Sequence, residues 1–565
     1  MLAQAQDRIE RFLQRQRRWV WSGLFIALAV LYLSSASNEL AGNLGGDNAH
    51  YLLLAKALAQ GRGYVDLYLP DHPPHTKYPP LFPLLLAPFT WLGRFELWSV
   101  HLFIAGLGLV VPFALAGWVR RQGYSETACL AMLLLTATLP RYYEFLFHVL
   151  SDIPFTAFCY LALWGMARSR IEFKPRDLAL ITAAALAAFF TRTAGIALAA
   201  AIGMELIRRS ELRGLRSGRL PWWLIFGAVM GLAFLTWSFR NRSVGGAGVG
   251  YFQELLLKDP SQPQAGYVSW IEFGSRFCQR AYFYLTFMGM QVSLGKTVFT
   301  GKAAIQPQYL PWLIPVGIGF LSRLRQPERS AEWFFVFSAL MMSCWWYPDS
   351  RFLIPMLPLA SFYLILGVRR IFGWMETALR LPAPRARALT AGVGLVLLGH
   401  QVWIVAGIVR HQHRDRFEPS SLVYLPGYGM WHQPVINWAK YETAFFKESE
   451  IQLFTRGQII YRIAAQKVPP EKVILSGKPT ITAWFAERPS VGYIYTEDVK
   501  AQWEHLRRNR VSWVLALYPN PELDALFKSC PDCFRPVVSF QEGYPALFEV
   551  ANFPDHGESS RKLPY

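Results

Sequence analysis

Two aspartates and a scatter of cations are the residues through which this chain could do chemistry. Asp47 follows Gly45-Gly46 and opens a helical run in which Asp47, His50, Tyr51, Leu54 and Leu58 share one face. An aspartate after glycine at a helix start is the ordinary N-cap, so capping and proton transfer are compatible accounts of it. Asp152, in "LSDIPF" with Pro154 close behind, stands at a helix start in the same way. Lys77, Arg141, Arg192, Arg240, Arg242 and Arg351 fall at the ends of apolar runs or in the loops between them. Arg351, in "DSRFLIPMLP", sits where the helix dipole disfavours a cation by about 0.3–1 kcal/mol. A buried arginine costs roughly 2.5–3.5 kcal/mol even on lenient membrane scales. A bound phosphate would offset both terms. Pairing with Asp349 and Glu144 accounts for one or two of these cations, but less easily for the set. Asp71, His72 and His75 in "DHPPH" could contribute to a divalent-metal site. Mg²⁺ or Mn²⁺ held by carboxylates such as Asp47 and Asp152 together with a phosphate fits better.

The elements that must hold these residues are membrane helices. The 565 residues are 53% hydrophobic and 17% charged, where a soluble protein carries about 25% charged. The deficit lies before residue 410, where apolar runs alternate with short basic clusters. About 20 apolar residues span a bilayer, and spans read at about 19–37, 97–118, 126–140, 152–167, 177–191, 193–207, 221–239, 309–322, 331–347, 352–368 and 389–409. Arg168, Arg170, Lys174 and Arg176 precede the apolar stretch 177–207, and Arg208, Arg209, Arg213, Arg216 and Arg219 follow it. Both clusters are cytoplasmic only if the chain crosses twice, with the break at Thr191–Thr193. The same rule places Arg120/Arg121, Arg323/Arg325/Arg329 and Arg369/Arg370/Arg385/Arg387 inside. The net charge of +19 therefore reads as topology and not as a nucleic-acid surface.

The expected fold is mainly α: a polytopic membrane protein of about eleven transmembrane helices, with an amino terminus inside and a small α/β domain outside. A cleaved signal peptide ending near "SSASN" is the lesser alternative for the first span. Residues 1–410 form the membrane domain and 411–565 the exported, periplasmic one, in a bacterial inner membrane. In the first exported loop, about 38–96, the segment 81–92 is too short to span easily and fits an interfacial helix. The second, about 240–308, holds "GGAGVGYF", a flexible connection, and an aromatic, amphipathic stretch near 267–290. In the last domain "KVILSG", "VGYIY" and "VSWVLALY" have strand composition, "DVKAQWEHLRRN" reads as an exposed helix, and "VVSFQEGYPALFEV" as a closing hairpin. Cys530 and Cys533 in "CPDC" read as a local disulfide, as befits an exported domain.

The order of these pieces resembles the glycosyltransferase C superfamily, integral membrane transferases that use polyprenyl-phosphate sugars and include protein O-mannosyltransferases and the lipid A aminoarabinose transferase. "GGDNAHYLLLAKALAQGRGY", "HTKYPPLFPLLLAP", "SDIP", "TRTAG" and "SRFLIPMLPL" carry the resemblance, which ends near residue 370. It implies that Asp47 is the catalytic carboxylate, that Lys77 binds the carrier phosphate and that Asp152 orients acceptor or metal. Arg192, Arg240 and Arg351 would join Lys77 at the phosphate, and His50, Tyr51 and Tyr78 would contact donor or acceptor. Two departures stand out. Many relatives have two adjacent acids where Asp47 is followed by Asn48, and the aminoarabinose group has an acid before Lys-Pro-Pro where Thr76 precedes Lys77 and Tyr78 intervenes. The partners implied are a polyprenyl-phosphate sugar, a lipid, glycan or protein acceptor, and membrane lipids, with no nucleic acid. A transporter or flippase is the rival reading, but no internal repeat is visible and the informative charges cluster at one mouth. A non-catalytic assembly protein is the third.

Overall fold

The computed structural model describes residues 2–34, 36, 46–91, 97–169, 173–213, 221–245, 251–260, 265–294, 307–379, 385–417, 422–425, 429–432, 459–494, 496, 498–517, 520–539 and 546–553. The glycine-rich "GGAGVGYF" stretch lies mostly outside these residues, as do the turn of the closing hairpin and the tail from 554. The chain forms two compact units. One comprises 1–41 and 74–416, the other 42–73 and 417–565.

The first unit is helical. It contains α1 (Leu2–Arg15) and α2 (Arg17–Leu33), and the second unit's α3 (Asp47–Ala59) follows in the chain. The first unit resumes with α4 (Leu81–Trp91), α5 (Leu97–Arg121), α6 (Glu126–Ala137), α7 (Pro140–Glu144) and α8 (Asp152–Arg168). Then come α9 (Pro175–Thr191), α10 (Gly195–Arg213), α11 (Trp222–Val244), α12 (Tyr251–Leu256) and α13 (Trp270–Val292). It closes with α14 (Leu313–Arg323), α15 (Ser330–Cys344), α16 (Leu357–Ala378) and α17 (Arg385–Phe417). Every apolar segment expected to span contains one of these helices. Among the described residues, Leu97–Arg121, Trp222–Val244 and Arg385–Arg410 are long and apolar enough to cross a membrane by length and composition. The expected break after Thr191 is present, because Arg192 leaves the helix in an extended conformation (φ −148°, ψ 136°). The expected span at 352–368 begins instead with a 3₁₀ turn, Ser350–Leu353. Pro355 lacks the amide a regular helix would need there, and α16 starts at Leu357 with Pro358 in its first turn.

Helices α14 and α16 approach closely at two glycines. A Cβ on Gly319 would meet the Tyr363 carbonyl, and one on Gly367 the Pro315 carbonyl, the small-residue contact by which membrane helices pack. Arginines read as topology markers also do structural work. Arg323 is fully buried and its Nε lies 3.0 Å from Glu332 Oε1. Glu328 Oε2 accepts from Trp118 Nε1 at 3.2 Å and Gln122 Nε2 at 2.6 Å. Glu205 takes Arg208 at 2.6 Å and Arg209 at 2.9 Å. The charge pattern alone did not reveal these buried carboxylates.

In the second unit, a hairpin of β1 (Leu422–Leu425) and β2 (Gly429–His432) precedes a five-stranded mixed sheet. That sheet has the order β4-β3-β5-β7-β6, from β3 (Val473–Ser476), β4 (Ser490–Val491), β5 (Val511–Ala516), β6 (Phe534–Ser539) and β7 (Ala546–Val550). Strand β3 runs parallel to β4 and β5, while β7 is antiparallel to β5 and β6. Helices α18 (Pro479–Ala486), α19 (Val499–Arg508) and α20 (Pro521–Ser529) also belong to this unit. Among the described residues of "VGYIY", only the first, Val491, is in a strand. His505 Nε2 reaches the Gly492 carbonyl, just past the short edge strand, at 2.9 Å, and Tyr493 Oη donates to Leu515 O of β5 at 2.7 Å. Cys530 and Cys533 form a disulfide. The first-loop segment joins this unit through the Ser490 amide, which donates to Tyr68 O at 2.6 Å, and through Leu69, packed against the sheet's core.

Candidate active site

In the second unit, Gly46 is the N-cap of α3, in the left-handed conformation (φ 84°), and Asp47 is the first helical residue. The capping account of Asp47 is thereby corrected, since the cap position belongs to its neighbour. A carboxylate in the first turn still gains from the dipole. A Cβ on Gly46 would collide with Thr480 Oγ1, which donates to Gly46 O at 3.0 Å. Lys478, just upstream in the turn after β3, interacts electrostatically with Asp47. Burial pulls the Lys478 ammonium below its ordinary range and the Asp47 carboxylate opposes that shift. His50 and Tyr51 are buried on α3, and His50 Nε2 lies 2.7 Å from Asp66 Oδ1. Asp71 is exposed, with Arg510 3.5 Å away, and His72 Nδ1 contacts Leu69 O at 3.1 Å.

In the first unit the expected cations fall into two groups. Lys77 pairs with Glu254 Oε1 at 2.6 Å. Close by in the chain, Arg240 donates to the His75 carbonyl, Asn241 Nδ2 donates to Thr76 O at 3.0 Å, and the Tyr78 amide donates to His75 Nε2 at 2.7 Å. Arg242 lies on the last turn of α11. The other group surrounds the 3₁₀ turn. Arg192 pairs with Asp152, and its guanidinium carbon and that of Arg351 lie 5.4 Å and 5.5 Å from the Phe352 ring centroid. Arg141 donates to Ser350 Oγ at 2.8 Å and pairs with Glu144 at 2.8 Å. Asp349 caps the turn, accepting from the Arg351 amide at 3.0 Å and pairing with its Nε at 2.9 Å. His148 is held neutral by burial and then by Arg141, His101 and Arg351, which push its pKa down to about 3.

Four of these cations, Lys77, Arg192, Arg141 and Arg351, thus have counter-charges of their own in Glu254, Asp152, Glu144 and Asp349, while Arg240 reaches the His75 carbonyl. The pairing account extends further than the sequence indicated, and burial of these residues does not by itself require an anion. Sequence reasoning missed Glu254, a lone acid in the aromatic stretch "YFQELLL", together with Asp66 and Lys478. The donor set at Asp152 matches a guanidinium, with Arg192 supplying the positive charge that a divalent ion would otherwise bring.

The family described as dolichyl-phosphate-mannose-protein mannosyltransferase matches residues 77–213, a stretch that starts at Lys77 and contains Tyr78, Arg141, Asp152 and Arg192. No curated protein sequence matches the chain. Among solved structures, ArnT from Cupriavidus metallidurans in the apo state superposes with a TM-score of 0.53 at 14% identity, over 95% of this chain and 98% of that one. The chain has the glycosyltransferase C fold. The same ArnT bound to undecaprenyl phosphate gives a TM-score of 0.51 at 12% identity, covering 95% and 99% of the two chains. The Archaeoglobus fulgidus oligosaccharyltransferase, tethered to an acceptor peptide, gives 0.51 at 10% identity, covering 89% and 69%. Membrane glycosyltransferases that differ in their ligands thus share this architecture, and the likeness spans the C-terminal domain as well as the helices.

Proposed function

We propose that this protein transfers a sugar from an undecaprenyl-phosphate carrier to an acceptor hydroxyl at the periplasmic face, with inversion. The observation that carries the reading is the fold, shared over 95% of the chain with a protein solved bound to undecaprenyl phosphate. The mannosyltransferase-family match over 77–213 supports it. Asp47 takes the acceptor proton as the hydroxyl attacks the anomeric carbon, and the carrier phosphate leaves as that bond breaks. Lys77, Arg192, Arg240 and Arg351 stabilise the charge growing on the phosphate. Because Lys77 and Arg351 are already paired, the donor exchanges a carboxylate contact for a phosphate contact. His50, Tyr51 and Tyr78 contact the sugars. Asp152, fixed by Arg192, holds the acceptor side. Eleven crossings, with the amino terminus cytoplasmic and the C-terminal domain periplasmic, put this chemistry outside. A divalent ion would polarise the phosphate, and Asp47 and Asp152 are the carboxylates that would hold it. Mass spectrometry of lipid co-purified with the protein tests the reading. A polyprenyl phosphate with or without sugar is expected, and its absence together with no protection by added undecaprenyl phosphate in thermal unfolding would refute it.

A further inference from the structure

The turn between β3 and α18 does more than connect them. Ser476 Oγ accepts from the Lys478 amide at 3.2 Å and from Thr482 Oγ1 at 2.7 Å, so the turn is held by its own side chains. Thr480, itself buried, donates to the carbonyl of Gly46, the residue that starts α3. Gly46 has a left-handed φ, and any side chain there would strike Thr480 Oγ1. Both devices fix where α3 begins, and hence where Asp47 stands. Lys478 then adds a cation within electrostatic reach of the Asp47 carboxylate. Helices α3 and α18 pack against each other in the same unit.

We propose that the 476–480 turn of the C-terminal domain is the positioning device for Asp47, with Thr480 fixing the start of α3 and Lys478 orienting its carboxylate. The proposal rests on the transfer reading, in which Asp47 is the base. A carboxylate ordered by a fixed counter-charge stays aimed at one proton, and a misplacement near 1 Å can cost about a hundredfold in rate. Lys478 is therefore a positioning residue and touches no substrate.

The test combines two measurements on the full chain. Thermal unfolding of Asp47→Asn, Lys478→Met and the double variant reads the electrostatic coupling itself, whatever the reaction proves to be. Coupling is expected, with the double variant losing less than the sum of the two. Initial rates then read the function. Lys478→Met should lower kcat about tenfold with donor KM unchanged, Lys478→Arg should restore most of it, and Thr480→Val should lower kcat while Thr480→Ser keeps it. Additive melting shifts, or parental kcat in both Lys478→Met and Thr480→Val, overturn the positioning role. Full transfer by Asp47→Asn with the melting coupling intact would instead remove Asp47 as base and leave the electrostatic coupling standing.

Discussion

At the scale of single residues, the position of Asp47 changes what its variants should show. With Gly46 as the cap, Asn and Ala at 47 both leave the N-cap residue itself unchanged. Both lose a first-turn charge worth about 0.3–1 kcal/mol. Asp47→Asn and Asp47→Ala should therefore fold alike and both transfer about 10² to 10⁴ times more slowly, which steady-state rates beside melting curves will show. Lys77 needs a different design because Glu254 is buried against it, its side chain only 7% exposed. Lys77→Ala leaves that carboxylate without its ammonium, at about 1–3 kcal/mol, so lost activity alone would be ambiguous. In Lys77→Ala/Glu254→Gln the melting temperature should recover while donor use stays at least tenfold down. Recovery of both would make Lys77 a structural partner of Glu254 and nothing more.

At the scale of elements, the break between α9 and α10 governs the topology. Arg192 at the break pairs with Asp152 at the start of α8, tying the end of one helix to the beginning of another. In the proposed topology, two crossings return the α10–α11 and α14–α15 connections to the side of the α8–α9 connection, the cytoplasm. Glu328 is buried, so the reporter for the second connection belongs at exposed Arg325, with Lys500 for the C-terminal domain. In a background lacking the exposed Cys278, Arg325→Cys should stay unlabelled by an impermeant maleimide in intact cells and Lys500→Cys should label. The reverse pattern would invert the orientation.

At the scale of the molecule, the compact units do not follow chain order. Segment 42–73 belongs with the C-terminal domain, by the strand-edge bond at Tyr68, the packing of Leu69 and the clasp at Gly46. A chain ending at residue 416 would lose the surface on which α3 rests. Limited proteolysis should then cut within 46–73 at a rate well above that of the full chain, and transfer should be abolished even though Lys77, Asp152 and Arg351 remain. An uncut segment in the truncated chain would show that α3 needs no support from the C-terminal domain.

The sequence by itself determined the helical segments, because apolar runs bounded by arginines and prolines have few other uses. It also determined the strands "KVILSG" and "VSWVLALY", the helix at 499–508 and the local disulfide, each encoded within a dozen residues. Asp47, Lys77, Asp152 and Arg351 stood out because a charge beside an apolar run is costly and therefore conspicuous. Asp349, two residues from Arg351, was legible as its partner, but the pairings of Lys77 and Asp152 were not. Glu254 lies 177 positions from Lys77 and Arg192 lies 40 from Asp152, and no local spacing rule connects such pairs. Edge strand β4 was overestimated because the His505 contact to the Gly492 carbonyl just beyond it cannot be read from propensity. Tertiary structure alone decided that Gly46 and not Asp47 caps α3, since the cap depends on a left-handed φ and on Thr480, 434 residues away. Composition reports what must be buried. Which charge meets which, across hundreds of residues, is settled only when the chain has closed on itself.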